Sequence, residues 1–224
     1  MTGGENMIAL HIFDMDETLI DSDCDVTWKE FLVAEKIAPQ EALREADRFA
    51  EEYARGCMDQ DEFNAFQLRE IAGLVPSELA ELARRHFEVM VRPRIRPAAE
   101  RFVGAVRKSG EMHIILSSTN RYLVAPVAEY FGIAEFYGTD LEMRSGRFTG
   151  KIAGDYLAGE GKVRFMHAFC AAHGLAPADV AAYGDSINDA PLLRAVGLPT
   201  AISPSAALRA VADENKWRIL EWRA

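Results

Sequence analysis

The chain has 224 residues, 49% hydrophobic and 27% charged, a composition that suits a globular protein with its own core and argues against a disordered one. Its formal net charge of -10 suits neither a nucleic-acid binder nor an anionic-membrane binder, so an anionic ligand would need a local positive site. Three scattered cysteines, Cys24, Cys57 and Cys170, lack zinc or redox spacing and read as reduced core thiols; residues 1–6 form no basic leader and no apolar run reaches membrane-spanning length, so the expectation is a cytoplasmic protein with no membrane partner.

Residues 8–13 are an apolar run that predicts a short buried strand. Asp14 and Asp16 stand just past its end, where two acids separated by one residue can face one small volume. Their mutual repulsion either raises one pKa or draws in a metal cation. Four amphipathic helices follow with no strand signal among them. Trp28, Phe31 and Leu32 mark the first, over residues 26–36, and a second runs from Pro39 to a stop at Gly56. The third covers 61–72 with Phe63 and Phe66, and the fourth 76–91 with Leu79, Ala83 and Phe87. The segment 92–97 carries Pro93 and Pro97 and reads as a stiff connector, with Arg92, Arg94 and Arg96 as a solvated face.

Beyond it the pattern alternates. A helix around Val103 ends at Gly110, a strand at 112–116 runs into Ser117-Ser118-Thr119-Asn120, and a helix at 122–131 contains Pro126. A weaker strand at 136–138 precedes a hairpin at 141–152. A helix opens at Gly161-Lys162-Val163, and the strand 180–183 ends in Gly184-Asp185-Ser186-Ile187-Asn188-Asp189. A short helix at 192–196, a strand at 199–202, a helix from Pro204 and an edge strand at 217–220 complete the chain. Alternating strands and helices predict an α/β fold, a doubly wound parallel sheet with an all-helical insert after the first strand. Ligands of such sheets sit beyond the carboxyl ends of the strands, where these polar clusters converge.

Asp14, Asp16 and Asp185 supply hard oxygen donors that suit Mg2+. A calcium loop starting at Asp14 fails, because Leu19 occupies its glycine position and Asp25 its closing glutamate position. Ser117 could hold a phosphate oxygen, although by itself it is an ordinary helix cap. Lys162 opposes the dipole of the helix it opens, a placement that an anion bound there would make favourable.

Asp14-Met15-Asp16-Glu17-Thr18 resembles the first motif of the haloacid dehalogenase-like phosphatases, Ser117 their second, Lys162 their third and Gly184 to Asp189 their fourth, in matching order from Met7 to about Ser205. The insert resembles the helical cap of the phosphoserine-phosphatase-like subfamily, which implies a core of residues 1–20 and 93–224 and a cap of 21–92. The resemblance implies a Mg2+-dependent phosphomonoesterase acting on a small phosphorylated metabolite. Asp14 would be the nucleophile, and Asp16 would offer its carbonyl to the metal and its carboxyl as acid and base. It also implies Lys162 as the phosphate-side cation, Asp185 and Asp189 completing the metal site, and Thr18, Asp23, Ser117, Ser118 and Asn188 about the substrate. A cap arginine that would hold the carboxylate of phosphoserine has only Arg69 as a loose candidate, whereas Asp21-Ser22-Asp23 with Trp28 resembles capped relatives named histidinol-phosphatases. An amine-bearing phosphomonoester is therefore expected; a phosphomutase and a non-catalytic phosphate-binding module are the alternatives.

Overall fold

The computed structural model describes residues 8–222, so the polar segment 1–6, Met7 and residues 223–224 of the expected core lie outside the described residues. Strands β1 (Leu10–Phe13), β2 (Met112–Asn120), β3 (Glu135–Arg144), β4 (Arg147–Ala153), β5 (Val180–Gly184), β6 (Leu198–Ile202) and β7 (Arg218–Leu220) form one sheet in the order β4-β3-β2-β1-β5-β6-β7. Its pairings are parallel apart from the β3–β4 hairpin. β1 is buried along its whole length because it lies at the centre with helices on both faces. Its side chains alternate as the pleat requires. Leu10 and Ile12 pack with Met166 of α7 (Glu160–His173), Leu193 of α8 (Ala190–Ala195) and Leu208 of α9 (Ala206–Asn215), while Phe13 packs with Val103 of α5 (Pro97–Ser109) and Val124 of α6 (Arg121–Phe131). This is the expected doubly wound α/β architecture.

Phe13 lies opposite Ile115 of β2 and Tyr183 of β5. β1 and β5 therefore end nearly level while β2 runs on to Asn120, and strand order runs outward from β1 on both sides, which places the crevice of the sheet at their carboxyl ends. The expected strand at 136–138 and the first arm of the hairpin are a single strand. β3 pairs parallel with β2 through Phe136 and Tyr137, then shifts register and pairs antiparallel with β4. The strand does not end at Gly138, because tertiary pairing with β2 and then β4 carries it through.

Between β1 and α5 lie α1 (Cys24–Ala34), α2 (Glu41–Ala54), α3 (Gln60–Leu68) and α4 (Pro76–His86). The expected helix 76–91 keeps α geometry only to His86 and widens into a π turn over Phe87–Val91 ahead of Pro93. The two connectors pair with each other. Ile20 bridges Ile95, Asp21 N–H donates to the Arg94 carbonyl at 2.7 Å, and Arg96 N–H donates to Leu19 at 3.2 Å. Arg92 and Arg94 are exposed as expected, but Arg96 is only 5% exposed, paired with Asp21 at 2.6 Å and donating to the carbonyls of Ile20 and Trp222. Burial of this guanidinium is possible because acceptors from the first connector and the C-terminal segment satisfy it. Cys57 also departs from expectation: it is exposed just beyond α2, while Cys24 and Cys170 are buried. A further tie joins the insert to the sheet, where Gly73 N–H donates to Phe148 of β4 at 2.8 Å and Phe148 N–H donates to Leu74 at 2.9 Å.

The core of the insert holds a histidine. His86 is 1% exposed, edge-on to Trp28 and Phe31, with Nε2 3.0 Å from Thr27 Oγ1. The Thr27 hydroxyl donates to the Asp23 carbonyl, so it accepts from Nε2–H and selects that neutral tautomer. Burial, aided by the charge of Arg94, lowers the His86 pKa from 6.5 to about 4. Between those values the unfolded chain binds the extra proton, so this residue's contribution to stability falls as pH drops from about 6.5 towards about 4. Replacing it by a residue that does not titrate removes that slope. The stability advantage of the wild type over His86→Gln, from urea unfolding midpoints, should shrink by about 2 kcal/mol between pH 7 and pH 5.

Candidate active site

The turn after β1 is built around one carbonyl. Met15 C=O accepts from the N–H groups of Thr18, Leu19 and Ile20, and Glu17 adopts a left-handed φ of 54° to close the turn. Met15 is fully buried while Asp14 and Asp16 on either side of it line one cavity. That cavity is about 300 Å³ and lies between the carboxyl ends of β1, β2 and β5 and the helices α1, α2 and α3.

Asp14, Lys162 and Asp189 are 7%, 3% and 2% exposed, and Lys162 Nζ donates to Asp14 Oδ1 at 2.6 Å and to Asp189 Oδ1 at 2.7 Å. The placement of a cation in the first turn of α7 is thus explained by two carboxylates facing it. Two glycines permit the approach. A Cβ on Gly161 would stand 2.1 Å from the Tyr156 carbonyl, and one on Gly184 would stand 2.5 Å from Asp189 Cγ. Asp189 is further fixed by Ser186, whose N–H donates to Oδ2 at 3.2 Å. The paired carboxylates hold Lys162 firmly protonated, with its pKa above the usual lysine range. For Asp14 desolvation pushes upward, and Lys162 opposes that push.

Carboxylate oxygens of Asp14, Asp185 and Asp189 lie within 4.8 Å of one another. Burial, together with the charges of Asp14 and Asp189, raises Asp185 to about 9. Such a set of hard oxygen donors, with more negative charge than Lys162 neutralises, fits a small divalent cation such as Mg2+. The Asp16 carboxylate lies outside this cluster and is engaged elsewhere. Its Oδ1 accepts from Cys24 N–H at 2.8 Å, and its Oδ2 accepts from Thr119 Oγ1 at 2.8 Å and Ser117 Oγ at 3.2 Å. Burial outweighs these donors and raises Asp16 to about 6.

The other residues singled out in the sequence divide. Ser118, Asn188 and Asp23 line the cavity; Asn188 Nδ2 donates to the Tyr53 hydroxyl of α2 at 2.9 Å, and Asp23 caps α1 by accepting from the N–H groups of Asp25 and Val26. Ser117 is wholly buried and its hydroxyl is used on Asp16, so it stands behind the cavity surface. Thr18 is also wholly buried and away from the lining. Trp28 is 1% exposed inside the insert, stacked on Phe31, and Arg69 is held outside by Glu45 and Glu70. Neither forms part of the cavity.

Sequence reasoning missed Thr119, Asp25, Gln67 and Tyr156. Thr119 was within reach, because it shares a strand face with Ser117. Gln67 had a fainter signal as a polar residue one turn beyond Phe63 on an apolar helix face. Tyr156 lies in a loop and left none.

The model of the haloacid dehalogenase-like hydrolases matches residues 12–194. The histidinol-phosphatase of Neisseria meningitidis serogroup C (strain 8013) is 35% identical, over 97% of this chain and 100% of that protein. The phosphoserine phosphatase SerB1 of Mycobacterium tuberculosis (strain ATCC 25618 / H37Rv) is 27% identical, over 97% of this chain and 72% of that one. Among solved structures, a protein of unknown function from Bordetella pertussis Tohama I superposes with a TM-score of 0.89 at 34% identity, covering 97% of this chain and 100% of the other.

Thr119→Val removes one of the two hydroxyl donors to Asp16 and leaves the backbone unchanged. A hydrogen bond to a charged group contributes about 1.5–3 kcal/mol, so turnover should fall roughly 10-fold or more, measured as kcat on an aryl phosphate, with little change in melting temperature.

Proposed function

The chain belongs to the haloacid dehalogenase-like hydrolase family, and on that premise we propose that it hydrolyses a small phosphomonoester bearing a protonated nitrogen and no carboxylate, of which histidinol phosphate is the best fit. One observation carries the reading. Lys162 is the one cationic side chain among the described residues lining the cavity, and two carboxylates already hold it, whereas the wall of the insert carries Asp23 and Asp25, whose pKa values burial raises and which a bound cation would hold ionised. A substrate carboxylate placed 4 Å from either acid in its ionised form would be repelled by about 4 kcal/mol at an effective dielectric near 20, and a substrate cation attracted by as much. This favours histidinol phosphate over phosphoserine, in keeping with the name of the 35% identical relative.

The chemistry we assign proceeds in two displacements. Asp14 Oδ attacks phosphorus in line, forming an aspartyl-phosphate as the bond to the leaving alkoxide breaks, and Asp16 gives that oxygen its proton. Asp16 then takes a proton from water as the water attacks phosphorus, which releases phosphate and restores Asp14. The hydrogen bonds of Asp16 suit this exchange. Cys24 N–H can only donate, so Oδ1 stays an acceptor, while the hydroxyls on Oδ2 can turn to accept and accommodate the proton there. Lys162, with Ser118 at the cavity surface, faces the charge on the transferring group. Asp14 and Asp185 would hold Mg2+, with Asp189 beside them and the Asp16 carbonyl assigned by family resemblance; when bound, the ion neutralises phosphoryl charge and keeps Asp14 ionised. In this reading residues 21–92 are the cap on a core of residues 1–20 and 93–224, Asn188 sits at the rim, and Thr18 supports the turn from within.

With Mg2+ the protein should hydrolyse p-nitrophenyl phosphate, EDTA should abolish turnover, and Asp14→Asn should lower it by about 10³-fold or more. Retained activity in Asp14→Asn would overturn the assignment of the nucleophile. Asp16→Asn should lose about 10²–10⁴ in kcat while Mg2+ affinity by calorimetry stays within about twofold. In a substrate panel, kcat/KM for histidinol phosphate should exceed that for phosphoserine by about 10²-fold, and the opposite order would reject the charge argument.

A further inference from the structure

Asp25 occupies the first turn of α1 and lines the cavity, yet among the described residues nothing donates a hydrogen bond to its carboxylate. The neighbouring polar groups are committed. Asp23 caps the helix, the Asp16 carboxylate accepts three hydrogen bonds, and Lys29 of the same helix turns away to Glu70 at 2.6 Å and to the Phe66 carbonyl at 2.9 Å.

Gln67 of α3 stands beside it and is 7% exposed. Its Nε2 donates to the Asp25 main-chain carbonyl at 3.2 Å. A carbonyl can only accept, which fixes the orientation of the amide and leaves Oε1 buried with no partner. An unpaired buried acceptor of this kind is disfavoured, and buried polar groups left so in a folded protein call for an explanation such as a ligand. Both residues line the main cavity and also a small recess behind it, where Phe63 and Tyr156 contribute to the walls.

We propose that the Asp25 carboxylate and Gln67 Oε1 form the subsite that receives the protonated nitrogen of the substrate, between Phe63 and Tyr156. The proposal rests on the phosphatase reading above and adds the residues that choose the substrate. Two acceptors side by side require a group that donates twice, which an ammonium or an imidazolium does. A carboxylate is repelled by Asp25 and has no proton for Gln67. Flat apolar walls accept the ring or methylene chain that carries the nitrogen. Asp23, the acid singled out in the sequence, then acts mainly by capping α1 and holding Asp25 in place.

The test compares kcat/KM for three esters with saturating Mg2+: histidinol phosphate, O-phosphoethanolamine, which carries an ammonium alone, and p-nitrophenyl phosphate, the neutral ester in the sense that its leaving group is uncharged. In Asp25→Asn the ratio of histidinol phosphate to the neutral ester should fall about 30-fold, and in Gln67→Met about 10-fold. Asp25→Glu, which keeps the charge, should recover part of the loss and so separates lost charge from a misfolded insert. A parallel fall for O-phosphoethanolamine places the ammonium in the subsite, and a fall confined to histidinol phosphate places the imidazolium there. A ratio unchanged within about twofold in Asp25→Asn, with the neutral ester still turned over, overturns this inference and leaves the phosphatase reading standing. Failure of the wild type to hydrolyse any of the three overturns both.

Discussion

Lys162 sits 2.6 Å from Asp14 and 2.7 Å from Asp189 with all three side chains buried, and this ion triad joins distant parts of the chain, Lys162 lying 148 residues beyond Asp14 and Asp189 another 27 beyond that. Two carboxylates around one ammonium leave a surplus negative charge, and Asp185 beside them, pushed up to about 9, ionises readily only when a cation is there to receive it. Removing one partner of a buried ionic group costs about 3–5 kcal/mol, so the end of β1, the start of α7 and the loop after β5 are held in a fixed relation. Much of the neighbouring sequence answers to that constraint. Gly161 and Gly184 leave room for the approach, Ser186 orients Asp189, and the level ends of β1 and β5 bring the carboxylates together. The uncompensated charge is also what makes the site receptive to a divalent cation.

The parts of this arrangement that were legible in the sequence are those set by local pattern. The apolar run of β1, the Asp14-Met15-Asp16 turn, the Gly184 to Asp189 loop and the alternation of strands and helices declare themselves over a few residues each. What stayed illegible depends on distant contacts. Arg96 looks like one of three solvated arginines until Asp21, Ile20 and Trp222 are seen to surround it. Trp28 lies close to the acidic motif in sequence but turns into the core of the insert, because a helix starting at Cys24 directs that face towards Phe31 and His86. Thr119 and Gln67 are ordinary polar residues whose importance comes only from the acid or the empty space each one faces.

In the proposed function the amino end of α1 is where chemistry and recognition meet. Asp16 accepts from Cys24 N–H, Asp23 from Asp25 and Val26 N–H, and the Asp25 carboxylate stands free, so three acids are gathered around one helix start. The first-turn N–H groups, which have no partner within the helix and donate to these acids instead, and the positive end of the helix dipole lower the cost of gathering them. In the function proposed above, a shift of α1 would therefore disturb the acid of the reaction and the selective wall of the cavity together. On that reading the specificity of the insert and the competence of the sheet edge are parts of one element rather than two.

The backbone bonds between Gly73, Leu74 and Phe148 bear on how the insert is held beside the cavity. An insert joined to the sheet only by its two connectors could swing as a whole, but one also stitched to β4 has a fixed flank, and its freedom lies on the opposite flank, along α2. There the Tyr53–Asn188 hydrogen bond spans the rim, and a single exposed bond of this kind is worth about 1 kcal/mol. The insert is therefore anchored on the β4 side by main-chain bonds and on the α2 side by one side-chain bond, so the two flanks of the cavity differ in how firmly they are held.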